Sequence, residues 1–426
     1  MAGERDAGQQ LSDTARRVAE AVDLGRVLAR LEALAQFGLG ANGGINCPGF
    51  SDPEAEANAL VGDWMRQAGL TVARDAIGNI FGSTDGNQPG VSPLAAGSHL
   101  DTVPDGGRYD GRLGVIGAIE AIEALRAAGV TPTSPLEVIV WRCEEPSRFP
   151  SGRIGSRFFG GEVTIDELLP HGTRFGLAER LAAEARQGLP QRATGRALAG
   201  YLELHIEQGK RLEEADTQIG IVTAIAAATR VRIEIIGVAD HSGATPMGLR
   251  HDALCAAAEL ILATERVGFA RADEQIVATA VRIAAEPGAL NVVPGRVELW
   301  LDVRGIAAPP IAATLAQLRR EAAAIAAARA VTIAFEETAA GTPIAFAPAT
   351  VAALDATARA LGYTTMRLPS GAGHDAQTIA PLAPAGMIFV PSVAGISHAP
   401  AEFTPPDAIG RGVRVLAAWL AGGRKA

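Results

Sequence analysis

The sequence predicts an α/β protein in two parts, a large domain with a mixed central sheet and a smaller domain inserted into it. Three observations carry this prediction. Strand-like apolar runs alternate with helix-spaced segments through 426 residues, more than one average domain holds. Four of those runs lead to a histidine or an acid, and an α/β sheet gathers its chemistry at such strand ends. Finally, the middle of the chain changes character and reads β-α-β-β-α-β, the split βαβ or ferredoxin-like order.

Taken in order, residues 11–37 carry Leu24, Val27, Leu28, Leu31 and Leu34 at helical spacing, so one helix is expected after a polar start. Residues 38–52, with several glycines plus Asn42, Asn46 and Pro48, form a loop. Ser51-Asp52-Pro53-Glu54 opens a helix running to about Ala68, with an acidic first turn and an early proline. Val72–Phe81 and Leu94–Gly97 read as strands. Residues 97–114, Gly-Ser-His-Leu-Asp-Thr-Val-Pro-Asp-Gly-Gly-Arg-Tyr-Asp-Gly-Arg-Leu-Gly, are too rich in Gly and Pro for regular structure. They lead into a buried, Ala-rich helix, Gly114–Ala128. Leu136–Arg142 is a strand that delivers Cys143-Glu144-Glu145, and Tyr201–Leu204 delivers His205. Met387–Val390 is a strand followed by a Gly/Ser loop carrying His398.

The inserted block begins with Arg230–Val238, which alternates as a strand, and His251–Arg266, which has helical spacing. Ile276–Ile283 and Arg296–Val303 are strands, Ala312–Ala328 is a helix and Val331–Phe335 closes the block. It is placed at 223–341. The large domain is then 1–222 plus 342–426, resuming with a helix at Ala347–Leu361.

Hydrophobic residues make up 48% and aromatics only 4%, so the cores must be Ala, Val, Leu and Ile. A net charge of −9 without basic clusters argues against nucleic acid or anionic membrane as partners. Cys47, Cys143 and Cys255 are odd in number and widely spaced, which suits buried thiols in a reducing compartment rather than disulfides. The polar start lacks a signal-peptide core, and no run of about 18 apolar residues exists to span a bilayer. A cytoplasmic protein is expected.

Seven histidines are few enough to be informative. His99, His205 and His398 stand at strand ends. His241 lies in Asp-His-Ser-Gly-Ala-Thr-Pro-Met and His374 in Ser-Gly-Ala-Gly-His-Asp, while His171 and His251 read as solvated surface. With Asp110 and the Glu144-Glu145 pair, the inventory suits a two-metal hydrolase. One carboxylate between two ions, with a histidine and one further side chain on each, leaves an open face for water between metals about 3.5–4 Å apart. Ligation by N and O suits zinc, or manganese or cobalt. Asp101 is expected to hold the His99 imidazole. Most Glu-Glu pairs are solvated, but at a strand end one can ligate while the other stays free as a general base. Arg304 offers a fork for a substrate carboxylate, the plainer reading being a surface ion pair. Asn291 can donate and accept toward a ureido group, or simply form a turn. His241 can donate to an oxyanion, or be an ordinary loop histidine. The glycines around His374 also suit a flexible turn.

The assembled motifs resemble the amidase, hydantoinase/carbamoylase family, a branch of the dinuclear metallo-aminoacylase and carboxypeptidase superfamily. The resemblance runs from about residue 24 to 420. It is carried by Gly-Ser-His-Leu-Asp-Thr-Val-Pro, Arg-Tyr-Asp-Gly, Glu-Glu-Pro-Ser-Arg-Phe, Glu-Leu-His-Ile-Glu-Gln-Gly, Ala-Asp-His-Ser-Gly-Ala-Thr-Pro-Met, Asn-Val-Val-Pro-Gly, Leu-Asp-Val-Arg, Ser-Gly-Ala-Gly-His-Asp-Ala and Gly-Ile-Ser-His-Ala-Pro-Ala-Glu, in that order. The resemblance implies that His99 and His205 hold one metal, Glu145 and His398 the other, and Asp110 bridges. It makes Glu144 the general base, and Gln208, Asn291 and Arg304 substrate-binding residues. It also implies that His241 enters a partner subunit's site and that His374 lines the pocket. Pro146 and Ala244 stand where the family usually has Gly and Thr. The implied activity is hydrolysis of the ureido amide of a small carboxylate, first an N-carbamoyl-L-amino acid. Allantoate, ureidoglycolate or β-ureidopropionate is second, and an aminoacylase or dipeptidase activity third. The implied cofactors are two divalent ions (Zn²⁺ first; Mn²⁺, Co²⁺ or Ni²⁺ otherwise), and the implied assembly is a homodimer through the small domain.

Overall fold

Four neighbouring parallel strands set the geometry of the larger of two units. The computed structural model describes residues 11–84, 91–132 and 134–422. One unit comprises the chain through Thr223, Phe346–Leu368 and the chain from His374 on; the other comprises Ala224–Ala345 and Pro369–Gly373. The first unit begins with helices α1 (Asp13–Glu20), α2 (Leu24–Ala35) and α3 (Asp52–Gln67). Its strands are β1 (Thr71–Arg74), β2 (Ile80–Ser83), β3 (Leu94–His99), β4 (Leu136–Trp141), β5 (Gly200–Ile206) and β6 (Ile219–Ile225). Between them lie α4 (Arg112–Ala127), α5 (Ile154–Phe159), α6 (Ile165–Gly172), α7 (Leu177–Ala185) and α8 (Arg211–Glu214).

The second unit holds β7 (Ala227–Ile236), β8 (Asp240–His241), α9 (Ala253–Ala270), β9 (Val277–Glu286), β10 (Val292–Val293), β11 (Arg296–Gly305), α10 (Ala308–Arg329), β12 (Thr332–Ala340) and β13 (Ile344–Ala345). The chain then returns through α11 (Pro348–Ala360), β14 (Thr365–Ser370), α12 (Asp375–Ile379), β15 (Ala385–Val390) and α13 (Pro406–Ala421).

The large sheet has the order β1-β2-β4-β3-β5-β15-β6, with β14 also on β6. β4, β3, β5 and β15 are parallel, and β2 and β6 run antiparallel on their flanks. The sheet is therefore mixed, and the carboxyl ends of the four central strands lie along one edge. Every residue of those four strands is buried. Parallel strands covered by helices on both faces read as continuous apolar runs rather than alternating ones. α4 and α13 pack on each other and on β5, while α5 packs on β4 and α12 on β5 and β15.

Two local expectations are corrected. Residues 11–37 form two helices, because the Asp23 carboxylate accepts the Arg26 N–H and caps a new start at α2, which apolar spacing does not register. Val72–Phe81 is a hairpin, β1 and β2, because Asp75 accepts the N–H groups of Gly78 and Asn79 and turns the chain.

In the second unit the sheet order is β12-β7-β11-β9, all antiparallel. Burial alternates along β11, with Val297, Leu299, Leu301 and Val303 facing a core shared with Leu260 of α9 and Leu318 of α10. One face is packed by helices and the other is left half-solvated, which is why this unit reads as alternating strands.

Beyond β4, Arg142 anchors the strand end that carries Glu144 and Glu145. Its guanidinium lies 4.4 Å over the Phe50 ring and donates to Glu54 Oε2 from Nε (3.1 Å) and Nη2 (2.9 Å), and to Glu184. All three charged groups are buried. Removing one member of such a cluster strands the others, so Arg142→Ala is expected to lower unfolding free energy by about 3–5 kcal/mol in urea titration.

Candidate metal centre

Two donor clusters share a single carboxylate. β3 ends at His99, and Asp110 sits just before α4. Gly111 between them has φ +66°, and a Cβ there would lie 2.4 Å from the His99 ring, so only glycine lets the helix start this close to the imidazole. β5 holds His205 in its last residues, and the loop after β15 brings His398. Asp110 Oδ1 lies 3.1 Å from His205 Nε2 and 3.8 Å from His99 Nε2. Asp110 Oδ2 lies 3.0 Å from His398 Nε2, which is 3.2 Å from Glu145 Oε1. Within each cluster, His99–Asp110–His205 and Asp110–Glu145–His398, ligand atoms lie within 4.8 Å of one another. A third group, Glu203–His205–His374, meets the same spacing.

The ring nitrogens are set for ligation. His99 Nδ1 lies 3.0 Å from the Asp101 carbonyl oxygen and His205 Nδ1 2.9 Å from that of Ile206. A carbonyl only accepts, so each Nδ1 carries its proton and each Nε2 keeps a lone pair for the cluster. His205 Nε2 is buried and, despite its nearness to Asp110, makes no properly aligned hydrogen bond. Burial opposes charge on His205, yet the adjacent Asp110 carboxylate, with Glu203 behind, carries its imidazole up to about 9. Hydrogen bonds with Asp110 and Glu145 push His398 up to about 10. A buried set of carboxylates that draws positive charge onto its own histidines, with an orphaned Nε2 among them, fits a pair of divalent cations held by N and O donors.

The sequence led us to expect the Asp101 carboxylate to hold the His99 imidazole: its Oδ1 does stand 3.6 Å from His99 Nδ1, but the hydrogen bond to that nitrogen is made by the Asp101 carbonyl, at 3.0 Å. The carboxylate instead accepts the backbone N–H groups of Glu144 and Glu145, both at 3.0 Å, and so fixes the acidic pair. Glu145 then faces His398, while Glu144 belongs to neither cluster. Burial, followed by the charges of Glu145, Asp375 and Asp101, holds the Glu144 carboxyl well above the usual range. Cys143 (φ 53°), Gln208 (φ 58°) and His398 (φ 55°) all adopt the left-handed region, and such strain concentrates where surroundings over-determine a site.

Among the other expected residues, Gln208 donates from Nε2 to Asp110 Oδ2 (2.9 Å) and Ser397 Oγ (3.2 Å). The buried His374 ring stands edge-on to His205, centroids 4.4 Å apart. In the second unit, β8 pairs with β10, His241 opposite Val292, and Ser242 N–H donates to the Asn291 carbonyl. His241 and Asn291 therefore share one exposed ribbon. His241 Nδ1 accepts the N–H groups of Gly243 and Ala244, both at 3.1 Å, so a neutral ring presents its proton at Nε2. Arg304 donates to both Asp302 oxygens and to the Gly371 carbonyl. Asp302 thus occupies the side-on fork, and two of the five guanidinium N–H groups remain.

The sequence singled out no role for Glu402, the last residue of the His398 block. Its Oε1 accepts the N–H groups of Tyr109 (2.9 Å) and Asp110 (3.1 Å), and its Oε2 accepts the Ser397 hydroxyl (2.8 Å). It ties the Asp110 loop to the His398 loop from nearly 300 residues away. Only its place in the block signalled it. Partners that orient ligands commonly contribute about 10- to 100-fold in metal affinity, so Glu402→Ala is expected to weaken metal binding by that factor in competition with a chelator.

The family model described as peptidase family M20/M25/M40 matches residues 95–422. An N-carbamoyl-L-amino acid amidohydrolase of Geobacillus stearothermophilus is 38% identical over 92% of this chain and 96% of its own. A ureidoglycolate hydrolase of Arabidopsis thaliana is 34% identical over 87% of this chain and 80% of its own. The crystal structure of an amidase of the hydantoinase/carbamoylase family from Burkholderia multivorans superposes with a TM-score of 0.89 at 34% identity, covering 95% of this chain and 98% of that one.

Proposed function

The chain belongs to peptidase family M20/M25/M40 and within it to the hydantoinase/carbamoylase amidases, and from that we propose that it hydrolyses the carbamoyl amide of a small ureido carboxylate. It is a hydrolase of carbon–nitrogen bonds in linear amides. The best-supported substrate is an N-carbamoyl-L-amino acid, giving the L-amino acid, carbon dioxide and ammonia. The observation that carries the reading is Asp110, with one oxygen toward His99 and His205 and the other toward His398 beside Glu145.

In this reading His99 and His205 hold one divalent cation, Glu145 and His398 the other, and Asp110 bridges. Zinc is the first choice, with manganese, cobalt or nickel next. When bound, the cations supply an activated water and polarise the substrate carbonyl. Glu144, in neither ligand set, takes the proton of the attacking water and passes it to the leaving nitrogen, base first and acid second. His241 donates its Nε2 proton to the developing oxyanion. Asn291, Gln208 and the remaining N–H pair of Arg304 anchor the substrate, and His374 lines the pocket.

We assign the block 223–341 as a ferredoxin-like lid and dimerisation domain, with 1–222 and 342–426 as the catalytic domain. The strand order β12-β7-β11-β9 supports this, since numbered along the block it is 4-1-3-2. The exposed edge strand β9, with Val277, Val281 and Ile283 beside Leu262 and Phe269 of α9, supports pairing with a second copy. His241 would then serve the partner subunit's site. No helix among the described residues is long and apolar enough to cross a membrane.

Ammonia release from N-carbamoyl-L-methionine, N-carbamoyl-β-alanine and allantoate tests the reading. Turnover of the first above the others is expected. The ureidoglycolate hydrolase relative favours an allantoate-type substrate as second choice. Hydrolysis of acetyl-amino acids with silence on all three would replace the reading by an aminoacylase.

A further inference from the structure

We propose that Arg153 is a specificity residue whose guanidinium takes a second carboxylate of the substrate, so that the preferred ureido compound is the N-carbamoyl derivative of an acidic amino acid. This rests on the amidohydrolase reading and names the side-chain class that reading leaves open.

The backbone fixes Arg153 against Glu144. A Cβ on Gly152 would lie 2.2 Å from the Glu144 carbonyl oxygen, so the loop passes that carbonyl at a distance only glycine allows. The Arg153 N–H then donates to the same oxygen at 2.6 Å. Arg153 adopts φ 60°, ψ 35°, a left-handed conformation that a side-chain-bearing residue holds only where its surroundings impose it. Its Nη1 donates to Thr378 Oγ1 at 3.1 Å, and Thr378 is buried in α12, the helix that begins directly after His374. The side chain therefore reaches from the peptide of Glu144 to the helix behind His374.

Among the described residues the guanidinium has no anion of its own. Arg26, Arg30, Arg142, Arg192 and Arg196 of the same unit each pair with a carboxylate. Arg153 has no carboxylate within 4.0 Å among the described residues, although Glu144, Glu145 and Asp375 belong to the same site. Thr378 engages one of its five donors. An apolar substrate side chain would desolvate the cation without pairing it, which is unfavourable. One guanidinium, Arg304, is assigned to the carboxylate that every N-carbamoyl amino acid has; a second cation suits a substrate with a second one.

The test compares kcat/KM for N-carbamoyl-L-aspartate, N-carbamoyl-L-glutamate and N-carbamoyl-L-methionine in wild type, Arg153→Met and Arg153→Lys. Wild type is expected to favour an acidic compound. In Arg153→Met the ratio of acidic to methionine compound is expected to fall about 100-fold, chiefly through KM, with partial recovery in Arg153→Lys. An equal loss on all three compounds would overturn the proposal, since Arg153 would then act only through Glu144. So would a wild-type preference for the methionine compound. Calorimetric binding of succinate against butyrate to the metal-loaded protein separates this proposal from the reading beneath it. Succinate binding that depends on Arg153, in a protein that hydrolyses no ureido compound, would retain the anion subsite and reject the amidohydrolase. Equal succinate binding by wild type and Arg153→Met would reject the subsite whatever the turnover.

Discussion

Replacing Glu144 by Gln is expected to lower kcat for ureido hydrolysis by about 10²- to 10⁴-fold, the span a positioned general base supplies, with metal content unchanged. Gln keeps the shape and hydrogen-bonding reach of Glu but cannot take up a proton. Glu144 lies outside both donor clusters, so its replacement leaves every ligand atom in place. Its surroundings already favour proton uptake, through burial and then Glu145, Asp375 and Asp101. Because the Asp101 carboxylate grips the amides of Glu144 and Glu145 rather than their side chains, the substitution does not disturb the strand end. Ammonia release and elemental analysis on the same preparation check both halves. A variant that loses its metals would make Glu144 a ligand, and one with wild-type kcat would remove it from the chemistry.

Asp110→Ala is expected to abolish both metal binding and turnover. No other residue belongs to both the His99–Asp110–His205 and the Asp110–Glu145–His398 cluster among the described residues. Without it His99 and His205 face each other with no anion between them, and His398 keeps Glu145 alone. Burial opposes the Asp110 charge, but the facing imidazoles of His205 and His398 hold its carboxyl well below the usual range. Elemental analysis after dialysis reads the outcome. One equivalent retained would place Asp110 in a single cluster and contradict the bridging assignment.

Much of this arrangement was legible in the sequence because buried parallel strands are nearly all apolar, so a polar residue at their ends stands out. His99, the Glu144-Glu145 pair, His205 and His398 announced themselves that way. The parallel neighbours β4-β3-β5-β15 then bring all four ends to one edge. What escaped was whatever depends on backbone groups or on distant partners. Asp23 starts a second helix, and Asp75 turns β1 into β2, through single side-chain-to-amide bonds that periodicity does not register. Asp101 was recognised as a supporting acid, but its partners proved to be the amides of Glu144 and Glu145. Glu402 works through the Tyr109 and Asp110 amides nearly 300 positions earlier, a pairing no local pattern carries. Residues 146–199 between β4 and β5, which hold α5, α6 and α7, gave no elements from sequence, because these helices are short and pack a small core of their own around Phe50 and Phe149. The Asp302 hold on Arg304 was readable in principle, since residues two apart on a strand share a face.

The most direct test of the account is a metal titration. Metal-stripped protein would receive increasing equivalents of Zn²⁺ while ammonia release from an N-carbamoyl-L-amino acid is followed. The account predicts negligible turnover without metal and a plateau at two equivalents per chain. Full activity in the stripped protein, or none with two equivalents bound and every ureido substrate supplied, would contradict it.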